Sequence, residues 1–350
     1  MKRTPSPLAQ SVFDITSSAT RYSHEGGFVA SLSARAVKKI GKRVLRKIGA
    51  NHTVVAQIYG HALVMPSEHP LVATLAAYPK FNRPLGLAAV AVANASPAGT
   101  KHAVIDVGAN IGETAALIEQ MQPGVFHYLC LEPDPDLAEM CKINHRTSNN
   151  VEVIQCFIGE NEGSVVQLQD DGRANPSTKL VSNATVSENV GCLLRLDTVA
   201  RPFATSNSGI SLVKVDTEGY DFAVLRSGVE LLKQYKPAVY FEWFPDALMQ
   251  VGEDFYSGFD FLQNLGYRFF VFFTSQGNYH CSRIAPDKLF LRGLVSVVGA
   301  NSPFEYFDVF ACESESVFSS LIERSISVSE DNQRRQLFLN RNNGSGAIHA

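Results

Sequence analysis

From Ala103 onward, short apolar runs alternate along the chain with segments of helical periodicity, and this limits the possible folds more than any other feature. A helix that connects two strands returns the chain so that the strands lie parallel, and parallel sheets are covered by helices on both faces. The runs that we interpret as strands are Ala103–Val107, Phe126–Leu131, Val151–Gln155, Ser211–Val215, Ala238–Trp243 and Arg268–Phe273.

The segments between these runs complete the prediction of a doubly wound, mostly parallel α/β sheet. A late apolar run, Glu305–Cys312, supplies a seventh strand, and the segments around Ser164–Leu168 and Thr178–Ser182 are typical of a hairpin inserted in the plan. The stretches with helical spacing are Glu113–Met121, Pro135–Asn144, Asp221–Gln234 and Gly258–Leu265.

The chain divides into four parts. We expect residues 1–33, rich in Ser, Thr, Pro and Gly, to be mobile, and residues 34–99 to form a subdomain with a basic helix, a hairpin and a short helix. Residues 100–314 hold the alternating pattern, and residues 315–350 are expected to form a helix and a polar tail.

Composition excludes several classes of protein. With 45% hydrophobic residues the chain is globular, and a net charge of -3 from 31 basic and 34 acidic residues gives no overall attraction for nucleic acid. No apolar run approaches the roughly 20 residues that span a bilayer, and no secretion signal is visible, so we expect a cytoplasmic protein with reduced cysteines. The seven positive charges within residues 35–47 leave peripheral membrane contact open.

The most informative motif is a strand that runs into a glycine-containing turn. Asp106 lies near the end of the strand, Gly108 and Gly112 bracket the turn, and Ala109 and Asn110 lie between them. Open α/β sheets bind ligands at the carboxyl ends of their strands, and residues without side chains let a ligand approach the backbone. We therefore expect a cofactor over this loop, although Asn110 also suits a left-handed turn that needs no ligand.

Charge indicates which cofactor binds. The loop lacks the Gly-x-Gly-x-x-Gly pattern, and Asp106 places a carboxylate where a dinucleotide would bring its pyrophosphate. S-adenosylmethionine carries an ammonium and a sulfonium group and no phosphate, so a carboxylate is favourable there. Glu132 follows the second strand and matches an acid that accepts hydrogen bonds from ribose hydroxyls, a feature that both cofactor classes share.

A third motif ends the strand Ser211–Val215. Asp216 and Glu218 follow that strand and precede a glycine and a helix, so they should face the same crevice. They are candidates for orienting the methionine part of the cofactor or for holding the acceptor. Capping of the following helix explains them equally well, because acids are favoured at helix N-termini.

These residues resemble the FkbM-type S-adenosylmethionine-dependent methyltransferases. The resemblance covers roughly Thr53 to Cys312, and Asp221 stands where the family pattern leads us to expect Glu. It implies a class I methyltransferase, Rossmann-like fold and O-methylation of a hydroxyl on a sugar, glycolipid or polyketide-type product. The motifs that carry it are Asp106–Gly112, Glu132-Pro133, Arg195–Thr198 and Lys214–Tyr220, of which the last is the most specific.

Methyl transfer to a hydroxyl requires positioning of the acceptor and benefits from a general base. Glu242 ends the strand Ala238–Trp243 at the same sheet edge as Asp216 and Glu218, which makes it a candidate acceptor-binding acid. His280 is a further candidate, although a lone loop histidine is more often structural. A magnesium-like ion on Asp216 and Glu218 is conceivable, but two acids seldom form a dedicated site.

Three other functions compete with this prediction. An NAD-type oxidoreductase requires the glycine pattern that is absent here. A nucleic-acid methyltransferase is disfavoured by the acidic pI and by the lack of an Asn/Asp-Pro-Pro-Tyr/Phe motif. A non-catalytic protein that binds membrane or polyanion through residues 35–47 is the remaining alternative, and the four acids at positions 106, 132, 216 and 218 argue against a decayed site.

Overall fold

The fold is given by a computed structural model of the chain. The predicted basic helix at 35–47 and the polar tail from 328 lie outside the described residues. The described residues are 4–5, 7, 9–14, 17–18, 52–97, 99–169, 177–180, 190–299 and 302–327.

The described residues form fifteen strands, and eleven helices lie between residues 71 and 327. The strands are β1 Thr4–Pro5, β2 His52–Ile58, β3 His61–Pro66, β4 His102–Val107, β5 Phe126–Glu132, β6 Val151–Gln155, β7 Phe157–Ile158, β8 Val165–Gln169, β9 Ser177–Leu180, β10 Val190–Leu194, β11 Leu212–Val215, β12 Ala238–Trp243, β13 Phe269–Thr274, β14 Tyr279–Ile284 and β15 Phe307–Cys312. The helices are α1 Leu71–Ala77, α2 Arg83–Asn94, α3 Glu113–Met121, α4 Pro135–Asn144, α5 Leu196–Ser206, α6 Asp221–Ser227, α7 Val229–Tyr235, α8 Pro245–Val251, α9 Ser257–Asn264, α10 Lys288–Val295 and α11 315–327.

The central sheet has the order β14-β13-β15-β12-β11-β4-β5-β6. From β6 to β12 all neighbours pair in parallel, while β15 runs antiparallel to both β12 and β13. This confirms the predicted doubly wound α/β fold. The sheet has one strand more than the predicted seven, because the partly exposed edge strand β14 carries polar residues and no apolar run that would indicate it.

Both faces of the sheet are buried, which explains why its central strands read as continuous apolar runs. Ile105 and Val107 pack into the core of one face, whereas Val104 packs into that of the other. Helix α2 was not predicted because its buried positions surround the whole helix, so it lacks an amphipathic period. It packs closely on α3, and an added side-chain carbon at Gly86 would overlap the sulfur of Met121.

The hairpin predicted within residues 34–99 is formed by β2 and β3, and it covers the start of α3 and α4. Asn144 fixes its position: its Oδ1 accepts a hydrogen bond of 2.7 Å from Val64 N, and its Nδ2 donates to the carbonyls of Val64 and Ile111 at 2.9 Å. Residues 9–14 are helical and bury Ala9 and Phe13 against this hairpin. The subdomain is thereby placed over the glycine loop.

A cluster of aromatic rings fills the core between β12, β13 and α9. The ring of Phe259 lies 4.8 Å from that of Trp243 and 5.7 Å from those of Phe241 and Phe270. Trp243 is fully buried and donates a hydrogen bond of 2.9 Å to the carbonyl of Phe255. Its indole is therefore part of the core and does not form a wall of the cleft described below.

Substitution of Phe259 by Ala should lower the free energy of unfolding by about 3–5 kcal/mol, because the cavity left among the rings cannot close fully. Urea unfolding followed by fluorescence measures the change. Leu289→Ala is the control, since 80% of Leu289 is already exposed and its loss should cost little. Equal stabilities of the two variants would contradict the assigned core.

Candidate active site

An open cleft of about 190 Å³ lies at the carboxyl ends of β4, β5, β11 and β12. The subdomain closes it from above with α1 and the residues that flank this helix. The strand ends and the loops that follow them contribute Gly108, Asn110, Glu113, Glu132, Pro133, Asp216, Thr217, Glu218 and Glu242, and the other side holds His69, Pro70, Leu71, Thr74, Phe81, Asn82, Leu137 and Tyr306.

The glycines of the loop after β4 are required by packing within the protein. Gly108 has φ +77°, and a side-chain carbon there would overlap the carbonyl oxygen of Asp216. Gly112 has φ +84°, and a side-chain carbon there would meet His145 and Cys141. Gly108 and Asn110 line the cleft, but Ala109 and Gly112, which were also predicted to bind the cofactor, are not among its lining residues.

The backbone N–H groups of this loop donate within the protein. Gly108 and Ala109 donate to the carbonyl of Leu131 at 2.9 and 3.2 Å, and Gly112 donates to Ala109 at 2.8 Å. A pyrophosphate bound at such a turn needs free backbone donors. The loop therefore offers no phosphate cradle at these three amides, which adds a structural argument to the sequence argument against a dinucleotide.

Glu132, at the end of β5, is fixed by the loops on either side of it. Its two carboxylate oxygens accept hydrogen bonds from Asn110 N at 2.7 Å and Asp134 N at 2.9 Å. Burial raises the pKa of Glu132 to about 7. Each oxygen of a carboxylate can accept a second hydrogen bond, so Glu132, which lines the cleft, can still accept from ribose hydroxyls.

Asp106 lies behind the cleft wall, where it forms an ion pair with Lys214. The Lys214 Nζ lies 3.0 Å from Asp106 Oδ1 and 3.4 Å from Asp216 Oδ2, and it donates a hydrogen bond of 2.8 Å to the Gly108 carbonyl. Burial opposes the charge of Lys214, but attraction to the two acids outweighs it and raises its pKa. Asp106 thus balances a lysine, and the carboxylate that reaches the cleft from this network is Asp216.

The loop after β11 presents both of its predicted acids to the cleft. Asp216 and Glu218 line it, and Glu218 has a left-handed backbone with φ +53°. Asp221 holds this loop: its Oδ2 accepts from Thr217 N at 3.3 Å and from Thr217 Oγ1 at 3.1 Å, and its Oδ1 accepts from Glu242 N at 3.3 Å. Asp221 therefore anchors this loop, although the family pattern leads us to expect Glu at this position.

Glu242 ends β12 inside the cleft with one oxygen unsatisfied. The residue is 9% exposed, and its Oε2 has no hydrogen-bond partner. Burial raises the pKa of Glu242 well above its usual value, and the nearby charges of Asp216 and Asp221 add to this effect. A buried carboxyl oxygen without a partner points to a group that the ligand supplies.

Three titratable residues of the cleft, Glu113, His69 and Tyr306, were missed by sequence reasoning. Glu113 begins α3 and has a buried Oε2 without a hydrogen-bond partner, and burial raises its pKa to about 8. Its position directly after the glycine loop is the sequence feature that could have indicated it. Leu71 N donates to His69 Nδ1 at 3.3 Å, so the ring proton lies on Nε2 and is donated to Asn110 Oδ1 at 3.0 Å. Nothing in the sequence around His69 or Tyr306 indicated that docking brings them to the cleft.

His280 lies outside the cleft. It is on β14, and its ring packs on Phe304 and Phe307 with centroids 5.8 and 5.0 Å apart. Among the residues that the structure describes, no three His, Cys, Asp or Glu side chains are arranged to hold a metal ion.

A second, smaller and more apolar cavity of about 80 Å³ adjoins the cleft across Gly108 and Pro133. Phe157 and Leu193 contribute to its walls. Together the two cavities follow the carboxyl ends of β4 and β5, where the sequence predicts the cofactor.

The sheet order, the reversed strand β15 and the cleft with its glycine loop and strand-end acids define a class I methyltransferase fold. Residues 106–269 match the family model of the methyltransferase FkbM domain. The resemblance predicted from the motifs is confirmed for this segment, and it implies a methyltransferase that uses S-adenosylmethionine.

Similar solved structures are methyltransferases at low identity. FkbM from Methylobacillus flagellatus is 13% identical with a TM-score of 0.39, and the match covers 69% of this chain and 53% of that one, about half its length. A human methyltransferase 10 domain containing protein is 11% identical over 73% of this chain and 90% of that one, with a TM-score of 0.36. Comparison with curated proteins finds no match. The fold assignment above rests on the strand order of this chain.

Replacement of the buried Lys214 alone should destabilise the protein more than replacement of both Lys214 and its partner Asp106. Lys214→Met should cost about 3–5 kcal/mol, because Asp106 is left buried without a counter-charge, and Asp106→Asn in the same chain should recover part of the loss. Urea unfolding of the single and double variants measures both effects. A double variant no more stable than Lys214→Met would contradict the pairing.

The buried acids should make the protein less stable as pH rises. Burial raises the pKa of Glu113 and Asp308 to about 8, and those of Glu132 and Asp221 to about 7. Above about pH 4.5 the unfolded chain has lost the protons of these groups, whereas the folded protein keeps them up to about pH 7–8. The free energy of unfolding therefore falls as the pH rises through this interval. His69, with its pKa lowered to about 4 by burial, affects stability only below about pH 6.5.

Thermal unfolding without ligand should therefore occur at a lower temperature at about pH 8.5 than at about pH 6.5. Asp308→Asn removes one of these acids at a position that does not line the cleft, and it should reduce the difference. An unchanged or rising unfolding temperature over this interval would show that the acids are ionised in the folded protein.

Proposed function

We propose that this protein is an S-adenosylmethionine-dependent O-methyltransferase that acts on a hydroxyl of a sugar, glycolipid or other small hydroxylated metabolite. The observation that supports this most directly is Glu242, a buried carboxyl with an unpartnered oxygen in the same cleft as Gly108 and Glu132. It provides a base next to the predicted cofactor site.

The residues present fit the cofactor. Glu132 is fixed with free lone pairs for ribose hydroxyls, and Asp216 brings a carboxylate for the ammonium group. The apolar cavity beyond Pro133 suits the adenine ring. When bound, S-adenosylmethionine supplies a methyl group on a positively charged sulfur.

The residues of this chain hold the acceptor and accept its proton. Glu242 accepts the proton of the acceptor hydroxyl as the new oxygen–carbon bond forms, a role that requires its ionised form although burial raises its pKa. Tyr306, on the other side of the cleft, restricts the position of the acceptor. Most of the rate acceleration then comes from this positioning.

Binding and turnover should respond differently to two isosteric substitutions. Glu132→Gln should weaken the binding of S-adenosylmethionine and S-adenosylhomocysteine in calorimetry, because the amide loses an acceptor for the ribose. Glu242→Gln should leave this binding unchanged while methyl transfer slows by about 10²–10⁴-fold, the usual contribution of a general base.

Glu139→Gln makes the same chemical change at an exposed position of α4 and serves as the control. Loss of cofactor binding in Glu242→Gln would move this residue to the cofactor side. Absence of cofactor binding by the unaltered protein would contradict the proposed function and favour a non-catalytic protein that keeps the fold.

A further inference from the structure

The loop after β7 forms part of the wall of the smaller, apolar cavity. Gly159, Glu160 and Asn161 line this cavity, and Pro133 lines it from the end of β5. Strand β7 is two residues long and pairs with β10, and the Gly159 amide donates a hydrogen bond of 3.0 Å to the carbonyl of Leu194. Because so short a strand supplies few hydrogen bonds, the position of the loop depends on contacts made by side chains.

Arg226, near the end of α6, connects this loop to the body of the protein. Its Nε donates a hydrogen bond of 2.8 Å to Glu160 Oε2, and its Nη1 and Nη2 donate to Oε1 and Oε2 of Glu253 at 3.2 and 2.7 Å. Glu253 is itself held by Ser257, whose Oγ donates to it at 2.7 Å. A planar guanidinium that binds two carboxylates in this way fixes their relative position.

Arg195 contacts the same loop through its backbone. Its Nη1 donates a hydrogen bond of 3.2 Å to the carbonyl of Glu160, and its Nη2 donates to the carbonyl of Arg226 at 3.3 Å. The side chain and the main chain of Glu160 are therefore each held by an arginine.

These contacts give a role to the motif Arg195–Thr198, which carries part of the family resemblance. None of its residues is among the described lining of the cleft or of the cavity. Asp197 accepts hydrogen bonds from Leu231 N at 2.9 Å and from Glu230 N at 3.3 Å, and Arg195 lies 3.6 Å from its Oδ2. The motif thus fixes the start of α7 and reaches the cavity through the loop that Arg195 holds.

Stabilisation of the fold alone explains this network poorly. The side chains of Arg226 and Glu160 are 24% and 41% exposed, and ion pairs that water reaches contribute little to the free energy of unfolding. The position of a cavity wall matters more, because a gap of about 0.5–1 Å already loses about a quarter to a half of the dispersion attraction to a ligand.

We infer that Arg226 and Arg195 are positioning residues for the cofactor, which hold the loop of residues 159–161 in the place where it packs on the adenine ring. The inference rests on the proposed function, which puts adenine in this cavity. A wall that is held before the ligand arrives does not have to be ordered during binding, and the affinity for the adenosine part rises accordingly.

Calorimetry with S-adenosylhomocysteine tests the inference on Arg226→Gln, Glu160→Ala and the double variant. Each single variant should weaken binding by about tenfold, and the double variant by about the same factor, because all three remove the same contact. If Arg226→Gln does not fold, Arg226→Lys takes its place in the cycle, since lysine keeps the charge and lacks the fork.

Lys233→Gln is the matched control. It removes a cation from the ion pair with Glu230 on the neighbouring helix α7, where the two side chains are 54% and 65% exposed. Neither residue is among the described lining of the cavity, so binding should be unchanged.

A second probe, 5′-methylthioadenosine, separates a local effect on the adenine wall from a general disturbance of the site. It keeps the adenosine part and lacks the amino-acid part, so Arg226→Gln should weaken it by the same factor as S-adenosylhomocysteine, measured by competition between the two. Asp216→Asn should weaken S-adenosylhomocysteine alone. A merely structural role of Arg226 would disturb both parts of the site and cause the larger loss with S-adenosylhomocysteine.

Undiminished binding of S-adenosylhomocysteine to Arg226→Gln or Glu160→Ala, losses that add in the double variant, or a loss that spares 5′-methylthioadenosine would each overturn the inference. In these cases the unaltered protein still binds S-adenosylhomocysteine, and the proposed function stands. If the unaltered protein does not bind it, the proposed function fails first and the inference falls with it.

Discussion

The arrangement of the cleft depends on one buried cation. Lys214, on β11, is in register with Asp106 on β4, and its Nζ also reaches Asp216 and the carbonyl of Gly108. Isolated buried charges are costly, and they are retained where partners and hydrogen bonds compensate. Here the compensation joins two adjacent strands and the loops at their ends. The same contacts therefore hold the sheet edge together and position the cofactor loop.

The second constraint is the concentration of acids at this edge. Burial keeps Glu113, Glu132 and Asp308 protonated well above the usual pH of a carboxyl group, and each of them costs folding free energy as the pH rises. A core built only for stability would use apolar residues of similar volume. Glu113, Glu132 and Glu242 line the cleft, where a ligand that donates hydrogen bonds can satisfy groups that the protein leaves unpaired, such as Glu242.

Much of the fold could be predicted because parallel strands that are buried on both faces appear in the sequence as apolar runs. The acids at the ends of these runs lie at one edge of the sheet, which indicated the position of the cleft. Several elements escaped prediction, namely the strands β1, β7, β10 and β14 and the helices α2, α5, α8 and α10. Strand β14 is a polar edge strand, and α2 is apolar all round, so neither shows the period that identifies its type. A helix or strand period appears in a sequence when one face of the element is buried and the other is exposed. Strand β14 is too exposed, and helix α2 too completely buried, to show such a period.

The sequence by itself determined the alternation of strands and helices, the positions of Asp216, Glu218 and Glu242 at the strand ends, and the resemblance to the FkbM methyltransferase domain, because spacing along the chain carries this information. The tertiary structure decided which of these groups line the cleft. Asp106 lies behind the wall, where it pairs with Lys214, and Gly112 lies against His145 and Cys141. Contacts of His69 and Tyr306 with the cleft depend on docking between elements distant in the chain, which no local pattern encodes.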